Sequence, residues 1–332
     1  MNILIESRAF YPSVGGLEMM SRGLATAWQG KGCTVHIQTM TPLGNAEELQ
    51  GLHVDRRPTA RTVLQNMRWA DVFVQSGISL RSLHGPLLVG TPLIMIHHNL
   101  LSISQSPPIR TWLKRQATHL GVNVAVSRSV LDTIPGPVVR IPNTFRPVFD
   151  QPGVDDSNRN GLLFVGRLVS VKGADLAIEA LRQLHERGVS TTLTICGDGP
   201  EREALEQQVE QAGIGSAVTF EGWTGPEELA AQYRTSNLLL VPSRHEPFGI
   251  VALEAIASGC PVVASRIGGL PEAVGDCGLL VPPGDPAALA DATERTLRSD
   301  VQKNLRAAMP THVRRHRIDR IATDYLHLLR RV

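Results

Sequence analysis

Aromatic side chains are scarce in this chain, at 4% of 332 residues, and its apolar residues, 42% in all, are mostly aliphatic. No apolar stretch approaches the roughly 18 residues that a membrane-spanning helix needs, so no such helix is expected. Charge of one sign is not in excess: Lys and Arg number 33 against 31 Asp and Glu. The global balance therefore gives no footprint for a nucleic-acid binder. The four cysteines, Cys33, Cys196, Cys260 and Cys277, are far apart with no Cys-x-x-Cys pair. They read as buried thiols of a reducing compartment. No Asp-x-Asp occurs, and no His/Cys/Asp cluster stands at ligand spacing, so neither a metal nor a cofactor is expected. The opening residues MNILIE are strand-like and carry neither the basic region nor the apolar core of a secretory signal. The expected location is the cytoplasm.

What the chain has is glycine (30), proline (22) and a regular alternation of patterns. Short β-branched or leucine-rich runs, NILIE (2–6), TVHIQTM (34–40), DVFVQ (71–75), LIMIHH (93–98) and NVAVS (123–127), predict parallel strands. Between the first two, Leu17, Met20, Leu24 and Trp28 fall at helical spacing, which makes a βαβ unit. The alternation lapses over 142–160, rich in Pro, Asn, Asp and Gly, and restarts at LLFVGR (162–167), TLTICG (192–197), AVTFEG (217–222), NLLLVPS (237–243) and PVVAS (261–265). At this length two domains are expected. The reading is an α/β protein of two Rossmann-like, doubly wound parallel-sheet domains facing a central cleft. Residues 1–145 form the first, 146–160 a linker, 161–310 the second, and 311–332 a closing helix that crosses back to the first.

Ligands of such sheets sit at the carboxyl ends of strands, so loops after strands are where chemistry is sought. In 164-FVGRLVSVKGADLAIEAL-181, Arg167 and Lys172 precede a helix N-terminus. Two cations beside a helix dipole suit a diphosphate. Ordinary surface cations, or a pair with Asp175, are the plain alternative. In 245-HEPFGIVALEAIASGCPVVAS-265, the N–H groups of Gly249, Ile250 and Val251 form a first helical turn, where no intrahelical acceptor exists. Glu254 follows one turn in, placed to accept from ribose hydroxyls, and Glu246 precedes the turn. A dipole-capping Glu254 and a solvated Glu246 are the bland reading.

The ordered series 15-GGLE-18, 164-FVGRLVSVKG-173, 195-ICGDGPERE-203, 246-EPFGIVALEAIASGCPVVAS-265 and 268-GGLPEAV-274 resembles the family 4 retaining glycosyltransferases of the GT-B fold, the glycosyl transferases group 1. Their Glu-x7-Glu motif matches Glu246 and Glu254. The similarity runs nearly the full length and is strongest over 162–283. It implies a nucleotide-sugar-binding second domain and an acceptor-binding first one. It also implies that Arg167 and Lys172 bind the donor diphosphate, that Glu246 contacts the donor sugar and Glu254 the ribose, and that Phe248 and the amides of Gly249, Ile250 and Val251 complete the cradle. Gly15 and Gly16 resemble the family's N-terminal glycine loop, with a tight turn as the alternative. A histidine at the end of the LIMIHH strand is implied to face the donor sugar; His97 matches better than His98, and adjacent strand residues point to opposite faces. The loop 142-PNTFRP-147 departs from the family's Pro-Asn-Gly-Val-Asp stretch, with Thr144 for the glycine and Arg146 for the acid.

The implied activity is metal-independent transfer of a sugar from a nucleotide-diphospho sugar, UDP as first choice. The acceptor is a hydroxyl of a glycan, lipid-linked or small-molecule partner, as in bacterial cell-envelope polysaccharide synthesis. Front-face displacement is preferred to a double displacement, which needs a carboxylate nucleophile and a second acid. The alternatives are a non-catalytic sugar-nucleotide-binding protein, which should have lost one of Arg167, Lys172, Glu246 or Glu254, and a GT-B sugar-nucleotide epimerase. Residues 107–119 interleave Arg110, Lys114 and Arg115 with Ile109, Trp112 and Leu113. They suit either a peripheral membrane contact or a helix packed into the core. The last thirty residues carry eight basic side chains, among them Arg314, Arg315 and Arg317, against Asp319 and Asp324.

Overall fold

The computed structural model of the chain describes residues 1–12, 16–44, 47, 49–101, 108–151 and 159–332. They form two compact units, Met1–Thr144 with Arg317–Val332, and Phe145–His316.

The first unit holds β1 (Asn2–Ser7), β2 (Thr34–Thr39), β3 (His53–Arg56), β4 (Val72–Ser76), β5 (Leu93–His97), β6 (Val122–Ala125) and β7 (Val138–Arg140). All pair in parallel, in the order β3-β2-β1-β4-β5-β6-β7. The central strands are covered on both faces and read as unbroken apolar runs, which is why the sequence displays them. On one face Leu4, Phe73, Leu93 and Met95 pack against Met67 and Leu83. The helix Gly16–Gly30 buries Met20, Leu24 and Trp28. Trp28 Nε1 donates to the Ala322 carbonyl at 3.1 Å, and its ring meets Tyr325 edge-on at 6.1 Å. The helix Ile318–Leu329 is thereby fixed within this unit although it is the last of the chain.

The second unit holds β8 (Asn160–Val165), β9 (Leu193–Cys196), β10 (Val218–Gly222), β11 (Ser236–Val241), β12 (Val262–Ser265) and β13 (Gly278–Val281), ordered β10-β9-β8-β11-β12-β13 and again parallel. The helix Ala174–Glu186 buries Leu176, Ala177, Ile178, Ala180, Leu181 and Leu184 against Leu162, Phe164, Leu193 and Ile195. Strand order reverses between β8 and β11. A parallel sheet leaves a crevice at such a switch point, at the carboxyl ends of the two strands, because the helices after them pack on opposite faces.

The expected α/β class with two Rossmann-like parallel sheets is what the chain forms. Three strands are absent from the sequence reading: β3 (HVDR), β7 (VVR) and β13 (GLLV). Each is an edge strand of three or four residues, too short to show a period. The segment 146–160 contributes to the second unit from its start. Phe149 is fully buried there, edge-on to Tyr233 at 5.6 Å, and residues 152–158 lie outside the described ones. At the other end the helix Ser299–His316 belongs to the second unit, and the chain turns at Arg317, whose extended ψ of 142° separates it from the helix Ile318–Leu329. No helix among the described residues is long and apolar enough to cross a membrane.

Replacing Trp28 by Ala removes a buried ring together with its hydrogen bond to the Ala322 carbonyl. The expected cost is about 3–5 kcal/mol, read as a lower urea midpoint with the slope unchanged.

Candidate functional site

The loops leaving β8 and β11 flank the switch point of the second unit, and they carry the cations and carboxylates of the sequence reading. After β8, the main chain is clasped by the turn after β9. Leu168 N–H donates to Asp198 O at 3.0 Å, and Glu201 N–H returns to Leu168 O at 3.1 Å. Arg167 stands exposed within this clasp, with no ion pair among the described residues. The turn Ser170–Lys172 follows. Its carbonyls are taken from the β11 side: Arg244 N–H donates to Val171 O at 2.9 Å, and Arg244 Nη1 to Ser170 O at 2.7 Å. The same guanidinium forks onto Asp175, at 2.8 and 2.6 Å. Asp175 is therefore engaged by Arg244, a residue absent from the sequence reading, and not by Lys172 or Arg167.

Lys172 instead reaches Glu246, Nζ to Oε2 at 2.7 Å. The two are 74 residues apart and both half-buried to buried. The Glu246 main chain is held from behind: its carbonyl accepts from Gly269 N–H at 3.0 Å. Gly268 passes so close, at φ 57°, that a Cβ there would overlap the Glu246 carbonyl oxygen. Only glycine fits that position without strain.

Beyond Glu246, Phe248 is buried and Gly249 caps the helix Ile250–Ala257. Ile250 and Val251 form its first turn, where the N–H groups point out of the helix end. At Gly249 φ is 106°, and a Cβ would lie 2.6 Å from Leu270 Cδ2, so packing by itself accounts for the glycine.

Glu254 lies on the same helix, buried to 5% of its side-chain surface. Arg146 Nε meets its Oε1 at 2.9 Å, and the Arg146 guanidinium lies 4.5 Å from the Phe149 ring centre. Burial pushes the Glu254 carboxyl up from its ordinary value, and the Arg146 charge and hydrogen bond pull it back. Burial also holds the nearby Tyr233 hydroxyl well above the usual phenol range, and the Glu254 charge adds to it. Arg146 was visible in the sequence only as a departure from a family pattern. Nothing at that position announced a partner 108 residues away.

The remaining site expectations fall in the first unit. Gly15 lies outside the described residues, and Gly16 opens the helix Gly16–Gly30. His97 is the last residue of β5 and His98 follows it; both are buried. His97 Nε2 donates to Asn123 Oδ1 at 2.9 Å; the Asn123 amide is fixed in turn by donating to the Thr118 carbonyl at 2.8 Å. His98 Nε2 pairs with Ser76 Oγ at 3.1 Å, in a chain that continues through Ser21 to Ser7 at the ends of β4 and β1. Burial lowers both rings, with His98 brought to about 3.

Set beside known proteins, residues 146–315 match the model of the family described as "Glycosyl transferases group 1". The D-inositol 3-phosphate glycosyltransferase of Corynebacterium urealyticum is 42% identical over 177 residues, which cover 50% of this chain and 42% of that protein. The glycogen synthase of Mycobacterium tuberculosis is 36% identical over 210 residues, covering 60% of this chain and 51% of that one. The chain thus matches between two fifths and about half of the length of these relatives. Among solved structures, that of Anabaena HepE in complex with UDP and glucose superposes with a TM-score of 0.82 at 20% identity, covering 100% of both chains. That likeness is one of fold.

A histidine whose folded value lies below its free value binds fewer protons folded than unfolded. His98 therefore withdraws stability as pH falls from about 6.5 toward about 3. Denaturation of the parent and of His98→Gln across that range should give a stability difference that moves against the parent by up to about 1.4 kcal/mol per pH unit. Parallel curves would mean that the ring titrates normally.

Proposed function

We propose, on the footing that this chain belongs to the glycosyl transferases group 1 family, that it moves a sugar with retention from a nucleoside-diphosphate donor to an acceptor hydroxyl. UDP is the first choice of nucleotide, supported by the UDP-bound fold neighbour. The single observation that carries the reading is the Lys172–Glu246 contact at the switch point of a nucleotide-type sheet, between a cation suited to phosphate and a carboxylate suited to sugar hydroxyls.

Arg167 is exposed and takes the diphosphate together with Lys172 and the first-turn amides of the helix Ile250–Ala257. Lys172 arrives with its charge matched by Glu246, so it is held in place before phosphate enters. Glu246 then accepts from the sugar, and Glu254 from the ribose. In the transfer, the bond from the anomeric carbon to the phosphate oxygen breaks as the bond to the acceptor oxygen forms, and the acceptor proton passes to the departing phosphate. Arg167 and Lys172 stabilise the charge that grows on that phosphate, the contribution expected to be largest. They also supply the positive charge for which other enzymes use a metal. His97 and His98 each engage a neighbour through Nε2, and the transfer as written needs no proton from either.

The acceptor is a glycan, a small molecule or a lipid-linked sugar. One observation favours the last: on the helix Pro108–Ala117, Ile109 is 62% and Trp112 54% exposed, beside Arg110, Lys114 and Arg115. That pattern suits the surface of an anionic bilayer. The free thiols, of which Cys196, Cys260 and Cys277 are buried, suit the cytoplasm.

A thermal-shift panel of UDP, GDP, ADP and their sugars should raise the melting temperature with one nucleotide class. Glu246→Gln and Lys172→Ala should each lower turnover with that donor by orders of magnitude in a folded protein. Near-normal rates in both would remove the site assignment, and binding without turnover on any acceptor would favour a non-catalytic sensor. Sedimentation with anionic and neutral vesicles should show binding to the first alone, lost in Ile109→Glu/Trp112→Glu; binding to neither would leave a glycan or small-molecule acceptor.

A further inference from the structure

Glu254 poses a problem of charge. A carboxylate 5% exposed in an apolar helix takes up a proton unless an opposite charge and hydrogen bonds hold it ionised. A protonated acid is a poor acceptor for a diol. Among the described residues the cation on it is Arg146, and its contact is unusual in form. The guanidinium touches through Nε alone, at 2.9 Å from Oε1, rather than through the two-pronged fork that arginine commonly offers a carboxylate. Oε2 carries no hydrogen bond among the described residues.

The guanidinium is also not free to slide. It lies over the Phe149 ring at 4.5 Å, and that ring is buried and edge-on to Tyr233. The Phe149 carbonyl is tied to Ser258 Oγ at 3.2 Å, at the C-terminal end of the Glu254 helix. The loop that presents Arg146 is thus anchored to the element that presents Glu254. Close by, the Tyr233 hydroxyl is wholly buried with no hydrogen-bond partner among the described residues. The ionisable groups bearing on Glu254 are Arg146 and this hydroxyl, whose own surroundings include Cys260 and Cys196.

We infer that Arg146 is a positioning residue for donor recognition: it keeps Glu254 ionised and pins one carboxylate oxygen, so that the other is presented to the vicinal hydroxyls of the donor ribose. The inference rests on the donor reading given above, and it concerns a residue at which this chain departs from the sequences it resembles. A purely structural ion pair would use the same two residues. It would, however, give no reason for nucleotide affinity to depend on the sugar hydroxyls and on pH together through Arg146.

The test is calorimetric titration of the full chain with UDP, GDP and ADP, and with the 2′,3′-dideoxy analogue of whichever binds, from about pH 5.5 to about pH 8.5. The parent should prefer the diol by roughly tenfold or more, about 1.4 kcal/mol, across the whole range. Arg146→Met should lose that preference at neutral pH and regain part of it toward the alkaline end, as its unpaired Glu254 ionises. Arg146→Lys should restore most of it. Glu254→Gln should abolish it at every pH, and adding Arg146→Met to Glu254→Gln should change nothing further. Should Arg146→Met fail to fold, Arg146→Lys and Arg146→Gln carry the same comparison.

A parent that binds no nucleoside diphosphate overturns the donor reading and this inference with it. A parent that binds with diol preference, beside Arg146 variants of unchanged preference and pH profile, overturns the inference alone.

Discussion

The Gly268 main chain runs across the Glu246 carbonyl at a separation that admits no side chain, with the Gly269 N–H bonded to that carbonyl at 3.0 Å. Everything at the switch point of the second unit follows from this crossing. It fixes the exit from β11 against the exit from β12, so Glu246 has one place to be. Lys172, delivered by the exit from β8, meets it there at 2.7 Å. Parallel strands make such crossings possible because all their carboxyl ends lie on one edge of the sheet. A loop of ordinary residues would hold the strands farther apart and the ion pair open.

The cost of gathering charge in this way is visible around it. A half-buried Lys–Glu pair and a buried Arg–Glu pair contribute little net stability, since desolvation offsets much of their attraction. Their use lies in fixed geometry. The stability of the second unit comes instead from the aliphatic face of helix Ala174–Glu186 packed on Leu162, Phe164, Leu193 and Ile195. That division lets the loops keep polar groups poised while the sheet beneath them stays rigid, which is the condition for binding charge without reorganising.

Much of this was legible in the sequence. Central strands such as NILIE and LLFVGR show because both of their faces are buried and each holds an unbroken apolar run, Ile3–Leu4–Ile5 in the first and Leu162–Val165 in the second. Edge strands β3 and β7 stay hidden because they are three or four residues long, and HVDR has a single aliphatic residue to show a period. Lys172 and Glu246 are readable as loop residues after strands. Their contact is not, since it depends on strand order, and β8 and β11 are neighbours only after β9 and β10 have been placed on the other side. Alternation predicts opposite faces for His97 and His98, but Asn123 and Ser76 as their partners required the register of three strands. Asp175 looked like a partner for the nearest cation and is taken by Arg244 from across the sheet edge. Arg146 shows the same limit: a residue type that breaks a pattern is visible, whereas what it touches is a property of the fold.

The central claim is that one pyrophosphate-bearing ligand engages Arg167, Lys172, Glu246 and Glu254 together. A crystal structure of the parent chain with UDP bound tests it most directly. The account predicts phosphate oxygens within about 3 Å of Arg167 and Lys172 and ribose hydroxyls on the free oxygen of Glu254. Nucleotide lodged elsewhere, or in place with those side chains turned away, would contradict it.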